Sequence, residues 1–533
     1  MKKKTILFIA SIVVVLALSA VLTIVLVQNA KKNQTPEEKG NVLGISWYNE
    51  KGDSFTIRNK EQLKELVELS SIYTFENQTI YLGRDIVWNE GEAKDWKEKA
   101  PKEIWKPINQ FAGTFDGKGH TISGLYATCN AEPMALFTNT AKTCEITNLK
   151  LTNSYFKTEG NGGVASFVSR GGGKFSKLYS DAIFVHDGEM VGGIGSNMNQ
   201  QAAFSECWFA GTIESTRWIV GGIVDYVNSP RIQVLHCLFS GTIYQNLVEQ
   251  DKARTGGIIG YVEEKGGCNV IDSLSIGKIE STILEHAGSV VGASGPSSTN
   301  FVKDTYSTQT VLEKAVGYPG GSFAGCVVFL YDNHLLGKEP CRWSELDFDT
   351  YWAARKDKTP ILKCFAKKKD VLNVKNVKKA YDTSWYDENE QIFTITTKEQ
   401  LFGMYYVLHQ TDFKEKVIFL GADIVINEGD AKTWATKPPK TDWYPIALAP
   451  NANAFRGTFD GKGNTISGLY CVTRDANTGL FGTVATAGIV RNLKLTNSYF
   501  KTQHEENGGI AGTLRGQIID VKSDAILDTT DFN

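Results

Sequence analysis

The sequence predicts an all-β protein made of tandem right-handed parallel β-helices, each with an N-terminal capping helix, after an N-terminal transmembrane helix. Three observations predict this fold class. A long segment is written twice, a glycine-rich unit recurs about every 30 residues within the first copy, and a lysine-flanked apolar run stands at the N-terminus. Internal periods of roughly 20 to 50 residues are typical of solenoids, whose repeats bury their inward faces on one another.

The N-terminus predicts a signal-anchor over residues 1–30. Three lysines precede an apolar run at 6–27, which as a helix would reach about 33 Å and cross a hydrocarbon core of about 30 Å. The cytoplasmic membrane is therefore the first predicted partner, and the remaining chain is expected at the cell surface. A cleaved leader and a secreted protein are the alternative, although Gln28 stands where cleavage needs a small residue. The polar stretch 31–45 is predicted to be a linker.

Long matching strings divide the rest of the chain into two copies. "GTFDGKGHTISGLY" begins at Gly113 and "GTFDGKGNTISGLY" at Gly457. The string "LKLTNSYFKT" begins at Leu149 and returns unchanged at Leu493. Such extended identity within one chain indicates a duplicated architectural unit.

We predict a first β-helix module over residues 46–365, a lysine-rich linker at 366–383 and a second β-helix module over 384–533. The second copy is the shorter, because it stops before the later repeats of the first. Its last strands, up to Ile526, are expected to expose apolar side chains and unpaired backbone groups, which recruit other chains. We expect that the polypeptide continues beyond Asn533 or that a partner covers this end.

A finer repeat lies inside the first copy. Glycine pairs followed by an apolar residue begin at Gly162, Gly192, Gly221 and Gly256. Each is followed by a run that ends at an isoleucine, as in "KLYSDAI", "CWFAGTI", "CLFSGTI" and "SLSIGKI". Alternation of apolar and polar residues between glycines is typical of short strands. A propeller blade needs roughly 40 residues or more, so the shorter unit favours the coils of a parallel β-helix.

Each copy opens with a helical pattern that is predicted to cap the first coil. Leu63, Leu66 and Val67 recur at helical spacing, and Asn59 stands where an N-cap is expected. "KEQLFGMYYVL", from Lys398, has the same place in the second copy. A cap is expected because an open strand edge recruits other chains.

The repeated string beginning at Gly113 predicts a tight polar turn between two strands. It contains Asp116, Gly117 and Gly119, and we expect positive φ at both glycines. The equivalent turn residues of the second copy are Asp460, Gly461 and Gly463. His120 would be a tempting proton shuttle, but asparagine replaces it in the second copy, which favours a solvent-exposed turn without catalytic chemistry.

Together these pieces resemble the bacterial surface proteins that carry GLUG-motif repeats on a pectate-lyase-like right-handed β-helix. The resemblance rests on the "FTI…KEQL" helix, the "LGRDIVWN" strand, "GTFDGKGHTISGLY" and the recurring "GGIxG" elements, and it covers 46–365 and 384–533. It implies the β-helix fold and a cell-surface setting. Related repeats also occur in IgA-protease-like surface peptidases, and the resemblance implies no particular activity.

Composition and motifs argue against several kinds of site. The 57 basic and 59 acidic residues leave no basic excess for nucleic acid. No H-E-x-x-H and no C-x-x-C occurs, so the sequence predicts no metal site, no cofactor and no redox centre. Cys207 and Cys237 occupy equivalent places in adjacent repeats. They are predicted to be inward-facing small residues, with a disulfide as the alternative.

Three tryptophans in one loop-like segment are the candidate ligand-binding residues, namely Trp88, Trp96 and Trp105. Exposed indole planes can stack on sugar rings, and the alternative is that these indoles pack the loop onto the first coils. No acid–base cluster is found, so no catalytic residue is predicted. We expect a non-catalytic surface protein that binds or adheres to a polysaccharide or to a host, matrix or other surface protein. A polysaccharide lyase or glycoside hydrolase on the same fold is the alternative.

Overall fold

The computed structural model describes residues 45–130, 133–160, 162–246, 253–308, 315–330, 332–408, 411–447, 454–473, 477–502 and 506–530. The predicted signal-anchor, and all of the predicted N-terminal linker except Ile45, lie outside the described residues. Within the described part of the chain, no helix is both long enough and apolar enough to cross a membrane.

The described chain is an all-β parallel solenoid of about 15 turns. Each strand of the coils pairs in parallel with the strand at the same position of the next coil. One inward column shows this register, since Phe156 is paired with Phe184, Phe184 with Ile213 and Ile213 with Ile243. The predicted all-β parallel architecture is confirmed, and the right hand of the coil stays a prediction.

Three sheets run along the first copy. A 20-stranded sheet contains Ser54–Ile57, Thr79–Leu82, Ile86–Val87, Thr114–Asp116, Thr121–Ser123, Phe137–Thr140, Glu145–Thr152, Val168–Ser180, Met198–Ser205, Trp208–Phe209, Val224–Val227, Ile232–Leu235, Leu238–Phe239, Ile259–Val262, Gly267–Ile271, Leu274–Ser275, Val291–Ser294, Thr299–Thr308, Val316–Pro319 and Ser322–Leu330. A six-stranded sheet contains Tyr126–Asn130, Tyr155–Gly160, Ile183–Gly188, Thr212–Ser215, Thr242–Gln245 and Lys278–Ser281. A five-stranded sheet contains Val164–Ala165, Met190–Gly192, Ile219–Gly221, Arg254–Gly256 and Ala287–Gly288.

The remaining strands belong to an antiparallel hairpin and to the second copy. The hairpin pairs Trp352–Arg355 with Lys358–Leu362. The second copy has a seven-stranded sheet of Ile392–Ile395, Val417–Leu420, Ile424–Val425, Thr458–Asp460, Thr465–Ser467, Ile489–Thr496 and Gln517–Ser523. It also has a three-stranded sheet of Tyr470–Val472, Tyr499–Lys501 and Ile526–Asp528, and a pair formed by Phe481–Val484 and Ala511–Leu514.

Inward side chains stack into columns along the solenoid. The rings of Phe156 and Phe184 are stacked with centroids 5.3 Å apart, and all their area is buried. Cys207 and Cys237 are also fully buried, and both are free thiols. The prediction that these cysteines face inward is therefore confirmed. Each coil contributes one layer to a core that its neighbours complete, as expected for a solenoid.

Three α-helices are present in the described chain: α1 (Lys60–Leu69), α2 (Glu339–Trp343) and α3 (Lys398–Leu408). Short 3-10 turns are found at Ala93–Asp95, Leu284–His286, Asp332–Leu335, Lys363–Phe365, Lys368–Asp370 and Ala431–Thr433. Asn59 caps α1, because its side-chain oxygen accepts a hydrogen bond from Gln62 N at 2.9 Å. Leu63, Leu66 and Leu69 of α1 are buried in the core of the first copy.

The second copy packs against the closing segment of the first. Trp343 of α2 contacts Phe402 of α3 edge-on, with ring centroids 5.1 Å apart. Residues 366–383 are tied to the same segment, because Ala380 N donates to Arg342 O at 2.9 Å. Aromatic contact of this kind excludes water and adds about 0.5–1.5 kcal/mol per pair beyond simple area burial.

The expected positive φ at both turn glycines is wrong for Gly117. Gly119 has φ of 82°, but the other left-handed residue of the turn is Lys118, with φ of 53°. Gly117 is needed for close packing instead, because a Cβ there would lie 2.4 Å from Asn148 O in the next coil. Gly461 and Gly463 repeat this division of roles in the second copy.

The alignment of the first short repeat also needs a correction. Ile183 was expected to match the closing isoleucines of the later units, but it pairs with Thr212 and lies on the outer side. Phe184 is the residue that pairs with Ile213 in the core. A strand alternates its faces, so a shift of one residue moves a side chain from core to surface.

Candidate ligand-binding groove

The candidate site lies on the outer face of the six-stranded sheet, where side chains of successive coils are aligned. Side chains alternate along each strand, so in Ile183–Gly188 the residues Phe184 and His186 are buried while Asp187 is exposed. The register then places one outward residue of each coil beside that of the next. One such row contains Thr128, Lys157, Val185, Glu214, Tyr244 and Glu280.

A groove of about 320 Å³ lies over the middle of this row, and we call it the outer-face groove. Its outward lining side chains include Lys157, Glu159, Val185, Asp187, Glu214 and Tyr244. Thr216 and Asn246 line it as well, at the ends of their strands. A half-exposed aromatic ring beside carboxylate, hydroxyl and amide groups provides both an apolar contact and directional hydrogen bonds for a ligand.

The carboxylates of the groove are held in place by neighbouring coils. Asp187 accepts a hydrogen bond from Thr216 Oγ1 at 2.6 Å and another from Arg217 Nε at 3.1 Å. These two contacts lower the pKa of Asp187, so the group is ionised at neutral pH. Glu214 lies 3.4 Å from Lys97 Nζ. Both carboxylates are therefore oriented charges, and they can accept hydrogen bonds from ligand hydroxyl or amine groups.

Beneath the groove, the inner side of the same sheet carries a buried histidine. His186 Nδ1 lies 2.7 Å from Thr158 Oγ1, and Nε2 has no partner among the described residues. Burial lowers the pKa of His186 to about 4, so the imidazole is neutral at physiological pH. Gly188 leaves room for the ring, since a Cβ there would lie 2.5 Å from His186 Cε1.

Trp96 closes one end of the outer face. Its indole packs edge-on against Tyr126, whose ring stacks on Tyr155 of the next coil, with centroids 6.0 Å apart in each pair. Asn153 holds the Trp96 loop from below by donating to Gly91 O at 2.7 Å. The loop therefore covers Tyr126 and Tyr155, which face outward from the first two strands of the six-stranded sheet. Trp96 itself is only 5% exposed.

Trp88 and Trp105 lie away from this groove and pack together. Their rings meet edge-on at 4.9 Å, and Trp105 Nε1 donates to Ala135 O at 3.0 Å. Their exposures are 5% and 1%. Stacking on a sugar needs an open ring face, so this burial favours the packing alternative for all three indoles. Their role as ligand-binding residues stays a prediction.

The predicted turn residues do not line the outer-face groove. Asp116 accepts hydrogen bonds from Lys118 N at 2.8 Å and from Asn148 Nδ2 at 3.1 Å. Burial alone would raise the pKa of Asp116, but these hydrogen bonds outweigh it and lower the pKa. Asp460 is held in the same way by Lys462 N and Asn492. These contacts fit a structural turn.

The sequence itself carries a signal for the groove, in the residues that follow the core residue at the end of each short repeat. Each short repeat ends with a buried core residue, and the next residue faces outward. These outward residues are Val185, Glu214, Tyr244 and Glu280. The closing isoleucines of the last three repeats would have pointed to Glu214, Tyr244 and Glu280, whereas Ile183 of the first repeat is followed by the buried Phe184. Within the described part of the chain, no group of three or more His, Cys, Asp or Glu residues could hold a metal ion.

Comparison with known proteins gives limited relationships. No protein-family model matches the chain. A Gly-rich membrane protein of Evansella cellulosilytica is 39% identical over 80 residues, which are 15% of this chain and 9% of that protein. Halomucin of Haloquadratum walsbyi is 42% identical over 79 residues, which are 14% of this chain and 1% of that protein. The chain thus spans less than a tenth of either relative.

Among solved structures, one match is a Bacteroides ovatus protein described as an immunoglobulin A1 protease. It covers 59% of this chain and 93% of that chain, with 15% identity and a TM-score of 0.43. The resemblance to GLUG-motif surface proteins stays a prediction.

Proposed function

We propose that the protein is a non-catalytic surface β-helix that binds an extended glycan in the outer-face groove. The observation that carries this proposal is the register that aligns Lys157, Val185, Glu214 and Tyr244 on successive coils. Neighbouring parallel strands are about 4.8 Å apart, so the row offers a contact at each step along a polymer. Adhesion to a host or matrix surface would follow from binding such a polymer there.

The setting that we propose is extracellular, with the chain anchored by residues 6–27. The apolar run at that position and the short similarity to a Gly-rich membrane protein support this location. We also propose that the two copies are tandem right-handed β-helices, each covered at its first coil by α1 or α3. The burial of Leu63, Leu66 and Leu69 supports a capping role for α1.

Binding of the full-length protein to a panel of neutral and acidic polysaccharides would test the function. We expect Tyr244→Ala and Glu214→Gln each to weaken binding at least tenfold, because they remove the ring contact and a charged acceptor. Tyr318→Ala is the matched control, since Tyr318 is 50% exposed but lies on another sheet. Equal binding by all variants would contradict the groove assignment.

The same panel separates binding from cleavage. A non-catalytic protein leaves the polymer intact, so neither reducing ends nor unsaturated products accumulate. Release of either product, lost in Glu214→Gln, would establish the lyase or hydrolase alternative instead. Fold alone does not decide between these activities.

A further inference from the structure

The outer surface of α3 in the second copy is already occupied by a peptide turn. Residues 333–343, which close the first copy, lie on it. Trp343 packs against Phe402, and Tyr406 OH donates to Trp343 O at 2.6 Å. The helix therefore buries Phe402 on its outer side, in addition to the apolar residues, such as Leu401, that it buries elsewhere.

The loop beside α3 completes this surface. Asn333 Nδ2 donates to Asp442 Oδ2 at 2.5 Å. Tyr444 OH lies 2.6 Å from His334 Nδ1, and the imidazole of His334 stacks on the Trp343 indole at 4.3 Å. Four residues of the second copy, from the helix and the loop together, thus hold one aromatic-bearing turn.

The equivalent surface of the first copy is not covered by any part of the chain that the structure describes. With the constant offset between the copies in this region, Phe402, Tyr406, Asp442 and Tyr444 correspond to Lys64, Glu68, Ile104 and Lys106. Those first-copy residues line a groove of about 340 Å³ together with Val67, Trp88 and Glu103, and we call it the α1 groove. Ile104 is 55% exposed there, although its neighbour Trp105 is buried. Among the residues that the structure describes, none takes in the first copy the place that Trp343 has in the second.

Compared with its counterpart, the α1 groove gains two cations, Lys64 and Lys106. It also gains two carboxylates, because Glu68 and Glu103 replace Tyr406 and Thr441, and it loses one, because Ile104 replaces Asp442. Lys64 and Lys60 share Glu103, at 2.6 Å and 2.5 Å. Lys106 forms no ion pair with the residues that the structure describes. Trp88 lines the groove, is 5% exposed, and its Nε1 has no hydrogen-bond partner among the described residues. A buried N–H without an acceptor costs free energy.

We propose that the α1 groove docks a turn of a partner polypeptide in which acidic residues flank an aromatic side chain. The aromatic side chain follows from the second copy, where the equivalent surface takes Trp343. The acidic residues follow from an excess of positive charge, because the three ammonium groups of Lys60, Lys64 and Lys106 outnumber the carboxylates of Glu68 and Glu103. Val67 and Ile104 provide the apolar contact, and this surface is separate from the outer-face groove.

A labelled peptide provides the probe. Residues 332–345 of this chain, made with Lys338→Glu and Arg342→Glu, would be compared with the unsubstituted peptide by fluorescence anisotropy on the full-length protein. Both peptides would carry Cys341→Ser to prevent oxidation. We expect the acidic peptide to bind at least tenfold more tightly, and raising the salt concentration should reduce the difference because charge pairs are screened.

Variants of the protein locate the binding site. Lys64→Glu and Lys106→Glu are each expected to weaken the acidic peptide at least tenfold, whereas Lys142→Glu, on an exposed turn, should leave it unchanged. Lys106→Ala tests the same contact without adding a negative charge, and circular dichroism confirms that each variant is folded. Absence of binding, or binding that none of the groove variants weakens, would overturn the proposal. Full displacement of the peptide by an equal concentration of inorganic phosphate would also overturn it, because the groove would then be an anion site only.

Discussion

At the scale of single residues, Asp225 is a carboxyl group placed inside the solenoid. It is fully buried, Ser196 Oγ donates to its Oδ2 at 2.5 Å, and its Oδ1 has no partner among the described residues. Burial raises the pKa of Asp225 well above its usual value, because a charge is poorly solvated there. The native protein therefore holds this proton to a higher pH than the unfolded chain does.

The free energy of unfolding should therefore depend on whether Asp225 is protonated. The contribution of Asp225 is fully present below the unfolded pKa of about 3.9 and is lost as pH rises through the raised native pKa. Asp225→Asn keeps the shape without the charge. We expect this variant to be more stable than the parent at pH 8, by about 1 kcal/mol or more, and to lose the advantage near pH 4. Thermal melts across this range would measure it, with Asp349→Asn as an exposed control. A gain independent of pH would contradict the assignment.

At the scale of elements, the turn after Asp116 contains two glycines that are required for different physical reasons. Gly119 is required for its positive φ of 82°, because a Cβ there would have no atom within 4 Å. Gly117 is required for space, because a Cβ there would collide with Asn148 O. Asparagine adopts positive φ more readily than most residues, so Gly119→Asn should cost less than about 1 kcal/mol. Gly117→Ala overpacks two coils and should cost about 1–3 kcal/mol. Urea unfolding would measure both, and equal losses would refute the division.

The two opening helices show what sequence patterns reveal and what they miss. The spacing of Leu63 and Leu66 predicted α1 because a half-buried helix needs only one apolar face. It did not predict that α3 would be buried on both sides. The signal was present, since Phe402 and Tyr406 stand where α1 has Lys64 and a glutamate. These two residues contact Trp343, which is distant in sequence. The periodicity within one helix does not reveal such a partner.

At the scale of the whole molecule, repetition made the fold predictable and left the groove hidden. Successive coils repeat a similar inward pattern, so the period of the glycine pairs and the strand-like runs between them predicted the parallel solenoid. The outward residues of the later coils vary more than the inward ones, because they do not fill the core. The row from Lys157 to Tyr244 becomes a site only through the register between coils, which the structure provides.

The last described coil should be the first to open. Ile518 continues an inward column and is paired with Val490, yet Ile518 is 38% exposed while Val490 is fully buried. Phe175 occupies the equivalent place in the first copy, with a coil on each side, and is also fully buried. In a solenoid each coil is stabilised only by its neighbours, so a coil with one neighbour among the described residues should open at lower free energy. Hydrogen exchange on the isolated 533-residue chain should therefore be at least about tenfold faster in Gln517–Ser523 than in the matched part of Val168–Ser180. Equal protection of the two strands would show that the last coil is stabilised as fully as an internal one.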